Sequence, residues 1–227
     1  VTDVVAVAFA NEGGIKLRII SKHDGNIELM AGKDTGIKSV QDLKGRSIAM
    51  STNTIMEYTA DTMLQAAGLE SDDAKKVPIP QLPTRLEMLM GGKVDAAIMP
   101  EPLAGMAIKN GALILNSTNQ TGNKCGAIAF RAEVLKDNPE EIKAVFRAYD
   151  DAVDYLNQEP IANYVDYVIK EQGFPEAVKG SLELPKYQKA TAPDPKIVAG
   201  VIEWMQSKQL IKSKYEYKDL VDDKFLR

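Results

Sequence analysis

The sequence has one cysteine, Cys125, one histidine, His23, and one tryptophan, Trp204. A single cysteine excludes an intrachain disulfide, which fits either a reducing compartment or an exported bacterial protein that does without disulfides. One cysteine and one histidine give no pair at metal-ligand spacing, so no metal and no cofactor is expected. There is no Walker loop and no dinucleotide glycine fingerprint. No apolar run approaches the ~20 residues of a membrane span. The net charge of −4 has both signs scattered along the chain, without a basic patch, which argues against nucleic acid as a partner. No low-complexity stretch or flexible linker interrupts the chain. No signal peptide opens it at Val1-Thr2-Asp3, so an exported protein would have lost its signal before this point.

What is present is ordinary globular composition: 227 residues, 44% apolar and 26% charged, enough for one large domain or two small ones. Up to about residue 130 short apolar runs alternate with amphipathic helical segments. Strands are expected over 3–9, 17–22, 27–31, 47–50, 76–80, 96–99, 112–116 and 125–130, and helices over 54–67, 83–90 and 102–110. Gly68 and Gly91-Gly92 sit where helices end. This alternation predicts an α/β fold with mainly parallel strands. Beyond residue 130 the pattern is helical. Pro139 opens a helix with Glu140 and Glu141 in its first turn. Ile142, Val145, Phe146, Tyr149, Val153 and Leu156 recur on one face of it. Further helices are expected from 160 toward 171 and over 194–208.

An internal similarity bears on completeness. Residues 1–8 and 94–99 both read as an acid, Asp3 or Asp95, heading a short buried strand. A strand–helix–strand–helix unit precedes the second copy and nothing precedes the first. Taken as equivalent, the copies imply that the chain lacks a unit of roughly fifty residues at its start. Chance similarity of two short runs is the alternative.

Residues 37–49, Ile-Lys-Ser-Val-Gln-Asp-Leu-Lys-Gly-Arg-Ser-Ile-Ala, resemble a segment of the sulfonate, taurine, nitrate and thiamine-precursor binding proteins of ABC importers. There an S-x-x-D-L-K-G-K/R turn leads into a strand and then a polar loop at a helix start, here Ser51-Thr52-Asn53-Thr54. Gly92-Lys93-Val94-Asp95-Ala96 followed by Pro100-Glu101-Pro102 resembles the family's next strand and turn. The tail, with Val201-Ile202-Glu203-Trp204-Met205 and the closing 219–226, is similar to its last helices. The resemblance implies a two-lobed periplasmic-binding-protein-like fold with hinge strands and the ligand between the lobes. It places 31–129 in the second lobe, and 1–30 with 130–227 in a first lobe lacking its opening unit. A first-lobe sheet without that unit would expose apolar surface, through which an otherwise monomeric protein could associate.

Ser51, Thr52, Asn53 and Thr54 are the leading ligand-binding candidates. They lie beyond a strand's carboxyl end and at a helix start, where free N–H groups favour an anion. Helix capping alone is the competing reading. Glu101, stiffened between two prolines, would either accept hydrogen bonds from an amine or support the following helix. Asn11, in the 11–14 loop, would either face the cleft or belong to a solvated turn. Met56 and Tyr58 could wall a pocket, though Tyr58 reads more simply as a packed or surface helix residue. Trp204 reads as packing, His23 as a solvated loop residue, and Cys125 as a small buried residue. No catalytic residue is proposed.

The resemblance implies a receptor that captures a small anionic or zwitterionic solute and hands it to a membrane permease. It would act in the periplasm or on the outer face of the membrane, with a lipid anchor as an option. Two alternatives stay open. A thiamine-pyrimidine-synthase-like enzyme would, by the same resemblance, draw on a histidine and a cysteine-rich segment with iron, which one histidine and one cysteine do not supply. A solute-sensing regulatory domain is the other.

Overall fold

The computed structural model describes residues 1–173, 176, 179 and 186–226. The chain forms two compact units. The first comprises Val1–Asp24, Lys124–Asn163 and Pro185–Arg227, the second Gly25–Asn123 and Tyr164–Leu184.

The first unit opens with β1 (Thr2–Asp3), α1 (Val4–Glu12) and β2 (Leu17–Lys22). The strand expected over 3–9 is therefore a helix. A short, wholly apolar run has no periodicity to separate the two. The ends decide: Asp3 accepts the Ala6 N–H at 2.9 Å as N-cap, and Gly13 closes the helix. Val4, Val5, Val7 and Ala8 bury one face. Asp95 heads a strand while Asp3 caps a helix, so the two runs are not structural copies.

In the second unit follow β3 (Ile27–Ala31), β4 (Ser47–Met50), α2 (Ile55–Ala66), β5 (Lys75–Pro78), α3 (Leu82–Met90), β6 (Ala96–Pro100), α4 (Leu103–Lys109), β7 (Leu113–Ser117) and a one-turn α5 (Thr118–Thr121). The chain returns to the first unit with β8 (Gly126–Arg131), α6 (Ala132–Asp137) and α7 (Pro139–Gln158). The single helix expected after 160 is broken at Tyr164. A 3₁₀ turn, Ile161–Asn163, precedes the break in the first unit, and α8 (Val165–Gln172) follows in the second. Helices α9 (Pro195–Ser207) and α10 (Tyr217–Leu220) complete the first unit.

The first unit's sheet has the order β1-β8-β2 and is antiparallel. Ile20, Leu135, Ile142, Phe146 and Phe225 form a core beside it, with Phe130 edge-on to Phe146 at 6.1 Å between centroids. Trp204 stands on α9, whose buried face is Val198, Val201, Ile202 and Met205, and Lys208 Nζ lies 5.3 Å from its ring. His23 is packed rather than solvated. Its Nε2 lies 3.1 Å from the Thr2 carbonyl, and its ring occupies the space a side chain at residue 126 would need. Burial lowers the His23 pKa against the raising effect of the Thr2 carbonyl, Asp24 and Asp3.

The second unit's sheet has the order β5-β4-β6-β3-β7. Only β4 with β5 and β4 with β6 are parallel, whereas β3 runs antiparallel to β6 and β7. The expected dominance of parallel pairs is therefore confined to this trio. It arises where helical crossovers join the strands, as parallel neighbours require. Period-two alternation sends Leu29, Ile48, Met50 and Ile98 to one face, under α2, and Met30, Ala49, Ala97 and Met99 to the other, against α3 and α4.

Two side chains register β4 on β6. The Asp95 carboxylate accepts the Ser47 N–H at 2.8 Å and its hydroxyl at 2.6 Å, and the Asp95 N–H donates back to Ser47 Oγ at 2.9 Å. The S-x-x-D-L-K-G-R segment that delivers Ser47 is itself a capped turn. Asp42 accepts the Lys38 and Ser39 N–H groups, Leu43 is buried, and Gly45 has the left-handed φ of 76° that suits glycine.

Burial pushes the Asp95 carboxyl up, but the Ser47 donors and Arg46 outweigh it and leave the pKa below the ordinary value. A carboxyl depressed in the folded state stabilises above the unfolded-chain pKa, and that contribution is lost as pH falls toward the folded value. In urea unfolding, Asp95→Asn is expected to lower the midpoint at pH 7, with the difference from wild type shrinking below about pH 3.9. A separate denaturation series tests the His23 packing: Gly126→Ala is expected to cost about 1–3 kcal/mol by overpacking.

Candidate functional site

The second unit brings the carboxyl ends of its three parallel strands together. The connection leaving β4 crosses by α2 on one face of the sheet, while the one leaving β6 crosses by α4 on the other. Adjacent strands whose connections part in this way leave a crevice beyond their carboxyl ends, where α/β proteins place ligands. Ser51, Thr52, Asn53 and Thr54 follow β4 there, and Glu101 follows β6.

The 51–54 loop has two kinds of group. Some are committed to the fold. Thr54 is the N-cap of α2: its Oγ1 accepts the Met56 N–H at 3.1 Å and donates to the Ser51 carbonyl at 2.8 Å. The Asn53 N–H donates to Glu57 Oε2 at 2.6 Å, an approach made with Asn53 at φ 57°, a left-handed conformation that asparagine tolerates. Others are uncommitted among the described residues: the Thr52 hydroxyl, the Asn53 side-chain amide, and the N–H groups of Thr52, Thr54 and Ile55. Thr52 and Asn53 are exposed. Donors at a helix start carry the positive end of the helix dipole.

Glu57 brings a carboxylate to this loop, and Lys76 answers it. Lys76 Nζ lies 3.0 Å from Glu57, 2.6 Å from Asp61 and 2.5 Å from Ser71 Oγ. Glu57 and Asp61 are buried. Burial alone would lower the Lys76 pKa, but the bonds to Asp61 and Glu57 outweigh it and raise it, so the ammonium stays charged.

Arg85 is wholly buried on α3. Its Nε donates to the Ile79 carbonyl at 2.9 Å, Nη1 to Ile98 at 2.6 Å, and Nη2 to Ser51 Oγ at 2.6 Å. One guanidinium therefore ties β6 to the segments leaving β5 and β4. Desolvation lowers its pKa to about 10, which leaves it cationic at neutral pH.

Glu101 Oε2 accepts the Gly105 N–H at 3.1 Å, so this carboxylate supports the first turn of α4. Asn11 lies in α1 rather than in a loop. Its amide donates to the Val7 carbonyl within α1 at 2.9 Å and to the Leu17 carbonyl at 3.1 Å, and the second bond ties the end of α1 to β2. Asn11 is in the first unit, whereas 51–54 and Glu101 are in the second. Met56 packs against the core under α2, and Tyr58 is buried. Cys125 is buried, and burial together with Asp3 pushes its thiol up to about 12, far from a nucleophilic thiolate. The sequence reading missed Arg85, Glu57 and Lys76. A signal was present for the first: Arg85 is spaced with Leu86 and Leu89, which pack in the core between α3 and the sheet.

This architecture is that of the periplasmic solute-binding proteins. The aliphatic sulphonate binding protein SsuA of Escherichia coli superposes with a TM-score of 0.83 at 18% identity, over 96% of this chain and 72% of that one. The nitrate-binding protein NrtA of Synechocystis PCC 6803 gives 0.72 at 12% identity, over 99% and 71%. The desulfurization enzyme DSZB gives 0.71 at 14%, over 99% and 82%. At such identities the likeness is one of fold. The sequence adds the family: residues 6–162 match the NMT1/THI5-like model, and the chain belongs to that family. No curated protein sequence matches it.

Capping and exposure separate the loop residues by experiment. Thr54→Ala is expected to cost about 1 kcal/mol in chemical denaturation. Thr52→Ala is expected to stay within about 0.5 kcal/mol of wild type.

Proposed function

We propose that this chain is a periplasmic solute receptor that captures a small anionic or zwitterionic organic solute, sulfonate-like in its head group, and delivers it to the permease of an ABC importer. The observation that carries this reading is the set of uncommitted donors in the 51–54 loop, at the strand-end crevice and beside a buried cation. A sulfonate or nitrate oxygen would accept from the N–H groups of Thr52, Thr54 and Ile55, the Thr52 hydroxyl and the Asn53 amide. The N–H groups are held in place by the anchored backbone of the loop before the solute arrives, which lowers the ordering cost of binding. Glu101, following the neighbouring strand, supplies a carboxylate that would suit the ammonium of a small aminosulfonate. The fold's relatives include receptors for aliphatic sulfonates and for nitrate, which supports solute capture over catalysis.

Isothermal titration of the full chain with ethanesulfonate, 2-aminoethanesulfonate, nitrate and ethylamine tests the proposal. A sulfonate or nitrate is expected to bind and ethylamine is not. The double variant Thr52→Ala, Asn53→Gly, in which glycine keeps the left-handed φ of 57° without strain, is expected to weaken anion binding roughly tenfold or more while leaving the chain folded. Heat evolved only with ethylamine, or with none of the four, would overturn the reading.

A further inference from the structure

Two cations in the second unit, Lys76 half-buried and Arg85 buried, are treated in opposite ways. Lys76 is neutralised by two carboxylates, Glu57 and Asp61. Arg85 is more deeply buried, yet among the described residues no carboxylate lies within 4 Å of it, and its bonds go to three backbone carbonyls and one hydroxyl. A buried charge satisfied only by neutral acceptors is expensive, and an apolar side chain of similar volume often serves stability as well or better. Burial between α3 and the sheet therefore does not by itself account for an arginine here.

The hydrogen bonds show where its influence goes. A guanidinium only donates, so Ser51 Oγ must be the acceptor in the 2.6 Å bond from Nη2. The Ser51 hydroxyl proton is thereby turned away from Arg85. Its acceptor in the fold is the Pro80 carbonyl at 3.4 Å, longer than an ordinary O–H···O bond. The Pro80 carbonyl also lies 3.4 Å from Nη2. A solute oxygen at the loop would offer that proton a shorter bond and give the buried cation a counter-charge.

Resting on the receptor reading, we infer that Arg85 is a positioning residue that sets the site's preference for anions: it acts through the Ser51 hydroxyl, which it holds as a donor, and through its uncompensated charge, without touching the solute. A purely structural clamp on three strand ends would affect all solutes alike. A charge-setting residue changes the ratio between a charged solute and its neutral counterpart.

The test measures affinities for ethanesulfonate and the neutral ethanesulfonamide in wild type, Arg85→Lys, Arg85→Gln and Ser51→Ala, with circular dichroism to confirm folding. Wild type is expected to prefer the sulfonate. Arg85→Gln is expected to cut the preference roughly tenfold, and Arg85→Lys to restore part of it. Ser51→Ala, which leaves the charge in place, is expected to lower the preference less, and it carries the test should Arg85→Gln not fold. A preference unchanged in the folded variants overturns this inference and leaves the receptor reading standing. A wild-type chain that binds neither probe overturns both.

Discussion

Parallel strands cannot be joined by a tight turn, so nothing local sets the register of β4 against β6. The fold sets it with side chains at both ends. At the amino ends, Ser47 and Asp95 exchange three hydrogen bonds. Near the carboxyl ends, Arg85 reaches the Ile98 carbonyl of β6 and the hydroxyl of Ser51 just beyond β4. The position of the 51–54 loop over the crevice depends on this pair of clamps, because the loop has only the end of β4 and the start of α2 to hang from.

The loop also depends on a balance of charge behind it. Glu57 takes the Asn53 N–H and so fixes the left-handed turn at Asn53, but a bare carboxylate there would repel an anion. Lys76 offsets it while binding Asp61 as well. Arg85, on α3, adds a positive charge with no carboxylate within 4 Å among the described residues. The field at the loop is the sum of these buried choices and of the α2 dipole, not of the exposed residues alone.

Much of this was legible in the sequence. The strands of the second unit announce themselves through short β-rich runs bounded by turn signals, and Ser-Thr-Asn-Thr between a strand and a helix marks the strand-end loop. The errors have physical causes. Val-Val-Ala-Val-Ala-Phe-Ala has no polar residue to report a period, so only Asp3 as N-cap and Gly13 beyond the end distinguish α1 from a strand. The direction of β3 is invisible because strand pattern carries no sign. Arg85 was passed over because charged residues on helices usually face water; only its place on an apolar stripe hinted otherwise. His23 looked solvated because its neighbour Gly126 is distant in sequence and makes room by having no side chain.

The split between committed and uncommitted groups in the loop has a consequence for how such a protein can change. Ser51 and Thr54 are anchored in the scaffold, while the side chains of Thr52 and Asn53 carry no part of it. Substitutions at Thr52, and at Asn53 those that tolerate its left-handed φ of 57°, can alter what is recognised without drawing on the small margin of stability that keeps the chain folded. A new specificity is therefore reachable by single steps through folded intermediates, which makes the pair a natural starting point for retargeting the receptor by laboratory selection.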